Sequence, residues 1–222
     1  MKDKLVLIHT VSPLLAVFNK LGVELLPGVQ LMHVLDEPLL ERVRQRGHLA
    51  PEDSEQLQTH VNVAGQIGAD AVLVTCSTVS PCVDDIRPKV DLPVIKIDEA
   101  MIAAAVASGS KIGVVATAVT TLEPTRHLLQ SQADILGKDI DLELVLVDKA
   151  LAALLDGDGQ THDKLVKKAV LQLAKEVDVV VLAQATMARV LDVIPESERP
   201  TPILSSPHLA LGAVKQLLAI TV

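Results

Sequence analysis

Two stretches of this chain end alike, and only one of them carries a thiol. Residues 71–78 run from Ala71 through Val74 into Thr75, Cys76, Ser77 and Thr78, while residues 179–186 run from Val179 through Leu182 into Ala183, Gln184, Ala185 and Thr186. A thiol that follows an apolar run, flanked by hydroxyls near a helix start, can be ionised by helix N–H groups and neighbouring donors. It could then serve as a nucleophile or as an acid/base toward carbon, with no metal required. Other apolar runs are also followed by hydroxyls: Thr10 and Ser12 near the start, then Thr117, Thr120 and Thr121. Short hydroxyl side chains together with exposed backbone N–H groups cradle a carboxylate. Each hydroxyl could instead cap the helix after it, and Cys76 could be a small core residue. The polar company of Cys76 favours a functional role, whereas Cys82, between Pro81 and Val83, reads as helix packing.

The elements that position these residues follow from hydrophobic period. Apolar runs at 4–9, 71–75, 93–97, 111–116, 143–147, 178–183 and 202–204 alternate with stretches of helical spacing, the pattern of βαβ units in a parallel sheet. The fold class is α/β. Leu57, Val61, Ala64 and Ile67 predict a helix over 54–68, and Leu165, Ala169 and Leu173 predict its twin over 163–176. Gly157 and Gly159 mark the loop before that twin, with Thr161 or Asp163 as its cap. Further helices are predicted over 100–108 and 208–219. Thr10 and Thr117 lie 107 residues apart, and Thr78 and Thr186 lie 108 apart, which points to an internal duplication. The expected architecture is two similar Rossmann-like lobes with parallel sheets, pseudo-two-fold related, with an active cleft between them. The first lobe takes 1–98 plus 205–222 and carries Cys76; the second takes 99–204 and carries Ala185 and Thr186. In open parallel sheets ligands collect outside the carboxyl ends of the strands, where these residues fall.

Composition narrows the function. The chain has 222 residues, of which 49% are hydrophobic, and Phe18 is its single aromatic residue, so the core is aliphatic, as a helix-covered parallel sheet requires. A net charge of −8 and the lack of aromatic stacking platforms argue against nucleic acid. No apolar stretch reaches the roughly 18 residues that span a bilayer, and no signal-peptide pattern opens the chain, so a cytoplasmic protein with reduced cysteines is expected. Cys76 and Cys82 form no CxxC, and no HxxxH or HExxH is present, which argues against a metal. Glycine-rich phosphate motifs are missing too, so no cofactor is expected. His9 and His208 stand near strand and helix ends and could reach a ligand. Glu123, Arg126 and His127 read as a solvated helix face, and Lys96 and Arg189 are the basic residues placed to meet a second carboxylate.

Taken together, these motifs resemble those of the aspartate/glutamate/hydantoin racemase superfamily. Cys76, Ser77 and Thr78 are similar to its first catalytic motif, usually Cys-Asn-Thr. Gln184, Ala185, Thr186 and Met187 fall where the second, Gly-Cys-Thr, belongs, and the Ala116 to Thr120 turn is similar to its substrate-carboxylate loop. The resemblance implies a cofactor-independent isomerase or lyase, one thiolate taking a Cα proton and an opposing thiol delivering one. It implies Cys76 as an acid/base, and Thr10, Ser12, Ser77, Thr78, Thr117, Thr120, Gln184, Ala185 and Thr186 around a small carboxylate. It also implies a homo-oligomer. The chain departs from the family at the second cysteine, replaced by Ala185, or by Gln184 if the strands align without a gap. Neither side chain exchanges a proton at neutral pH. A one-thiol decarboxylase and a non-catalytic metabolite-binding or regulatory protein are the competing expectations.

Overall fold

The computed structural model describes residues 3–218. The chain forms two compact units, one of 1–97 with 207–222 and one of 98–206. In the first unit the strands are β1 (Lys4–His9), β2 (Gln30–Leu35), β3 (Ala71–Val74) and β4 (Val94–Lys96), in the order β2-β1-β3-β4 and all parallel. In the second they are β5 (Lys111–Ala116), β6 (Asp141–Leu146), β7 (Val179–Leu182) and β8 (Ile203–Ser205), in the order β6-β5-β7-β8 and again parallel. Nine α-helices lie among the described residues: α1 (Pro13–Leu25), α2 (Glu37–Arg46), α3 (Pro51–Gln66), α4 (Cys82–Ile86), α5 (Glu99–Ser108), α6 (Val119–Ile135), α7 (Asp148–Leu155), α8 (Gly159–Leu173) and α9 (Ser206–Leu217). Residue 219, expected to end the last helix, lies outside the described residues. No described helix is long and apolar enough to cross a membrane.

The central strands are the continuous aliphatic runs: Leu5, Leu7, Ile8 and residues 71–74 are fully buried in one unit, and Ile112, Val114, Val115 and residues 179–182 in the other. Such strands are covered on both faces and carry no alternation. Helix α3 packs Leu57, Val61 and Ala64 onto Val6, Ile8, Val72 and Val74, and α8 packs Val166, Val170 and Leu173 onto Val115 and Val180. Gly113 lets α8 come this close, since a Cβ there would stand 2.6 Å from Leu173 Cδ2.

The two sheets repeat each other at the level of single hydrogen bonds. Lys4 N–H donates to Asp70 Oδ2 at 2.7 Å while Asp70 N–H donates to Lys4 O at 2.8 Å. Lys111 N–H donates to Asp178 Oδ2 at 2.9 Å while Asp178 N–H donates to Lys111 O at 2.8 Å. At the other end Asp36 N–H reaches His9 O and Val147 N–H reaches Ala116 O, both at 2.8 Å.

Three expectations are corrected. Strand β2 is absent from the sequence-based set; it is an edge strand of mixed residues, with Met32 36% and Leu35 40% exposed, so it offers no apolar run. Helix α8 begins at Gly159, and its cap is Asp158, whose Oδ1 accepts from Thr161 N–H at 3.0 Å, in place of Thr161 or Asp163. Ile67, expected on the packed face of α3, is 39% exposed at that helix's C-cap.

A buried carboxylate ties α2 to α3. Asp53, fully buried, accepts from Arg42 Nε at 3.1 Å and Nη2 at 2.9 Å, from Ala50 N–H at 2.9 Å and from Arg46 Nη2. Two guanidinium groups and a backbone N–H thus replace the water the carboxylate loses on burial.

Candidate functional site

In a sheet ordered β2-β1-β3-β4 the connections part between β1 and β3, and the crevice outside the carboxyl ends of that pair is where open parallel sheets bind ligands. His9, Thr10, Thr75 and Cys76 stand there. Thr75 N–H donates to Ile8 O at 3.0 Å, which sets the two strand ends level. Beyond Cys76 the chain turns at once, with Val79 N–H and Ser80 N–H donating to Cys76 O at 3.2 and 3.0 Å. The turn folds the backbone N–H groups of Thr78 and Val79, and the hydroxyls of Thr10 and Thr78, around the thiol.

Burial pushes the Cys76 thiol above its ordinary pKa, and these four hydrogen bonds pull only partly the other way. Cys76 therefore rests as a neutral thiol ringed by donors, at a position that stays partly open. Cys82 is also free but only 3% exposed, and burial raises its pKa as well. Iodoacetamide is expected to alkylate Cys76 before Cys82, at a rate still climbing above pH 9, where an ordinary cysteine levels off. Mass-spectrometric site mapping against pH checks this, and preferential labelling of Cys82 would contradict it.

The hydroxyls do not cap helices. The N-caps of α1, α4 and α6 are Ser12, Pro81 and Ala118, none with a side-chain cap bond. Ser12 is exposed, its N–H meeting Glu37 Oε1 at 3.3 Å, so it stands apart from the buried Thr10, Ser77 and Thr78. Ser77 Oγ is buried without a hydrogen-bond partner, and Thr10 Oγ1 has none besides the thiol. Buried polar atoms left unpaired are uncommon in folded proteins, and Ser77 Oγ is one of them, next in sequence to the one partly open thiol.

The same crevice exists in the second unit, between β5 and β7. Ala183 N–H donates to Val115 O at 2.9 Å, as Thr75 N–H does to Ile8 O, so the registers match without a gap. Gln184 consequently takes the place of Cys76, and Ala185 the place of Ser77. The two alternatives for the missing thiol thus resolve to Gln184. Its Oε1 accepts from Thr117 N–H at 2.6 Å and from Thr117 Oγ1 at 3.0 Å. Thr117 and Ala185 are buried, Gln184 and Thr186 half-buried, and Thr120 Oγ1 is a further buried hydroxyl without a partner.

The remaining candidates go elsewhere. His208 is exposed, and Glu123 pairs with Arg126 and with His127 on the exposed face of α6. Lys96 is held by Asp84 at 2.7 Å and Arg189 by Asp163 at 3.0 Å, so both are drawn toward carboxylates of their own unit. His9 is fully buried in a pairing between residues distant in sequence. Thr75 donates its hydroxyl proton to Ile8 O at 3.0 Å, so Thr75 Oγ1 accepts from His9 Nδ1–H at 2.8 Å. His9 Nε2 then accepts from His33 Nδ1 at 2.9 Å, and His33 Nε2 meets the Asn19 side-chain amide at 3.1 Å.

Burial, reinforced by the His33 charge, lowers the His9 pKa to about 4. Because the unfolded chain takes up a proton near 6.5 and the folded one near 4, stability is full above pH 6.5 and falls between those values, by roughly 2–3 kcal/mol. Urea melts at pH 7, 5.5 and 4.5 should show that loss, and His9→Gln should flatten it; an equal slope in the variant would sink the assignment.

The sequence matches the model of the Asp/Glu/Hydantoin racemase family over residues 20–214. The chain belongs to that family. Among curated proteins no sequence matches it. Among solved structures it is similar to glutamate racemase RacE1 of Bacillus anthracis, with a TM-score of 0.72 and 19% identity over 98% of this chain and 82% of that one. It is similar to allantoin racemase of Klebsiella pneumoniae, with a TM-score of 0.71 and 20% identity over 98% and 88%. Aspartate racemase of Picrophilus torridus gives 0.74 and 15% over 96% and 93%. At these identities the structural likeness carries the fold, and the family assignment confirms the resemblance read from the Cys76 and Thr186 motifs.

Proposed function

We propose that this family member is a cofactor-independent isomerase or lyase that acts on a small carboxylate through Cys76. The observation that carries the reading is the neutral Cys76 thiol at the β1/β3 crevice, beside the unpartnered Ser77 hydroxyl and with the Thr10 hydroxyl turned to it. Similar structures are racemases of glutamate and aspartate, both amino acids with carboxylates on and beyond Cα.

Two-base racemisation needs a second group that exchanges protons, and Gln184 does not. A thiol protonated at rest is suited to the acid half of the chemistry: giving a proton to a carbanion stabilised as an enediolate. In a decarboxylation of that kind the bond from Cα to a carboxylate breaks, CO₂ leaves, and the electron pair stays as the enediolate. The Cys76 proton then goes to one face of Cα, and the thiolate regains a proton from water. Incubation with amino-acid and substituted malonate substrates in heavy water tests the reading. Deuterium at Cα, or CO₂ release lost in Cys76→Ala, supports it, and neither with any of them overturns it.

A second reading, a metabolite-binding or regulatory protein on the racemase fold, is favoured by Gln184 itself, because replacing an acid/base by a hydrogen-bonding amide keeps recognition and removes proton exchange. Under it Cys76→Ser retains ligand-induced thermal stabilisation and no turnover exists to lose.

A further inference from the structure

The ends of β1 and β3 are joined by side chains where the backbone stops joining them. Among the described residues Thr75 N–H to Ile8 O, at 3.0 Å, is the last backbone hydrogen bond between the two strands. One residue further on, His9 Nδ1–H donates to Thr75 Oγ1 at 2.8 Å, and one further again the Thr10 hydroxyl meets the Cys76 thiol. The imidazole is held on its other sides too. His33 Nδ1–H donates to His9 Nε2 at 2.9 Å, and the Phe18 ring lies 5.6 Å away between centroids. His9 is fully buried and tethered at both nitrogens, so its ring has one orientation. A buried polar network with every member satisfied makes the structure around it rigid and unique. Such a network is costly here, because the buried neutral imidazole loses stability as pH falls through the range where a free histidine takes up its proton. An aliphatic residue at the end of β1 would carry no such cost.

We propose that His9 is a positioning residue for Cys76: its bond to Thr75 carries the β1/β3 pairing past the last backbone rung and so keeps the Thr10 hydroxyl on the thiol. The inference rests on the reading of Cys76 as the reacting group, and it adds what holds that group in place. Of the four donors that favour the thiolate, the Thr10 hydroxyl acts most strongly. It reaches the sulfur only while residues 9 and 75 hold their neighbours level. Without the His9–Thr75 bond the thiolate left after proton delivery loses that donor, and Cys76 becomes a weaker acid.

Alkylation of Cys76 by iodoacetamide against pH, in the full chain and with Cys82 as the internal reference, reads this without any substrate. In His9→Gln the side-chain amide reaches the place of Nε2 and still meets His33, but nothing at the place of Nδ1 donates to Thr75. The Cys76 profile should move up by about one pH unit, the lower end of what one hydrogen bond to a charged group is worth. On the rising limb a tenth of the thiolate then remains, each roughly threefold more nucleophilic, so alkylation should be about threefold slower. In His9→Asn the amide nitrogen falls at the place of Nδ1, so the bond to Thr75 is kept and the one to His33 is lost. Its profile should stay at that of wild type. Should a histidine variant not fold, Thr75→Val, which removes the acceptor, and Thr75→Ser, which keeps it, give the same contrast. A merely structural role for His9 would impair both members of a pair alike or neither, or would speed alkylation with no shift in the profile, and each of these results overturns the inference. A shifted profile in a protein that turns over none of the substrates named above leaves His9 as the residue that sets the thiol and overturns the functional reading. An unshifted profile beside Cys76-dependent turnover does the reverse.

Discussion

Cys76→Ala should fold with a melting temperature within a few degrees of wild type and lose proton delivery to carbon by about 10²- to 10⁴-fold, the range a positioned general acid contributes. Cys76 is packed only partly against the core of its unit, so removing the sulfur opens little buried space. Cys76→Ser should lose as much: the hydroxyl keeps the donors around it but gives up its proton far less readily than a thiol. Cys82→Ala is the control, since Cys82 is buried beside α3 and should change stability alone. Deuterium incorporation at Cα by single-turnover measurement reads the effect directly. If Cys76→Ala exchanges at the wild-type rate, the thiol has no chemical role.

The largest loss of stability is expected from Asp53→Ala. The carboxylate is fully buried under two arginines and the Ala50 N–H, and removing it leaves the Ala50 N–H without its acceptor and takes from Arg42 and Arg46 the one acceptor they share, while Arg42 keeps Gln56 and Arg46 keeps Glu52 and the His48 carbonyl. Because both arginines reach solvent and keep other acceptors, the loss is that of charge-assisted hydrogen bonds, about 1.5–3 kcal/mol, which for a chain of this size lowers the melting temperature by roughly 3–12 °C. Asp53→Asn should cost less, because its carbonyl can still accept from Arg42. Differential scanning calorimetry of both variants checks the order, and an Asp53→Ala protein as stable as wild type would show that the pair is dispensable.

Much of this arrangement is legible in the residues themselves, and the reason is physical. Central parallel strands are buried on both faces, so β1, β3, β5 and β7 write themselves as unbroken aliphatic runs, and the residues that interrupt them, Thr10, Cys76, Thr117 and Gln184, mark the crevices. Edge strand β2 leaves no such mark because half of it faces solvent. Spacing alone reads the cap of α8 as Thr161 or Asp163 because Asp158, Thr161 and Asp163 are all good cap residues, and only the path of the loop selects among them. The choice between Gln184 and Ala185 depended on strand register, which sequence spacing leaves open by one residue. The contact of buried His9 with half-buried His33 runs across two neighbouring strands, one of them the edge strand that carries no apolar run, so nothing local to either residue indicates it.

The division of the chain also bears on how the protein is made. The unit with Gln184 is one continuous segment, 98–206, whereas the unit with Cys76 is closed by helix α9, which lies after that segment in the chain. During synthesis the second sheet and all its helices can be assembled while the first still lacks its final piece. The half that carries Cys76 is then the last to be finished, and variants that weaken α9 should strand nascent chains with a folded second unit and an unfinished first one.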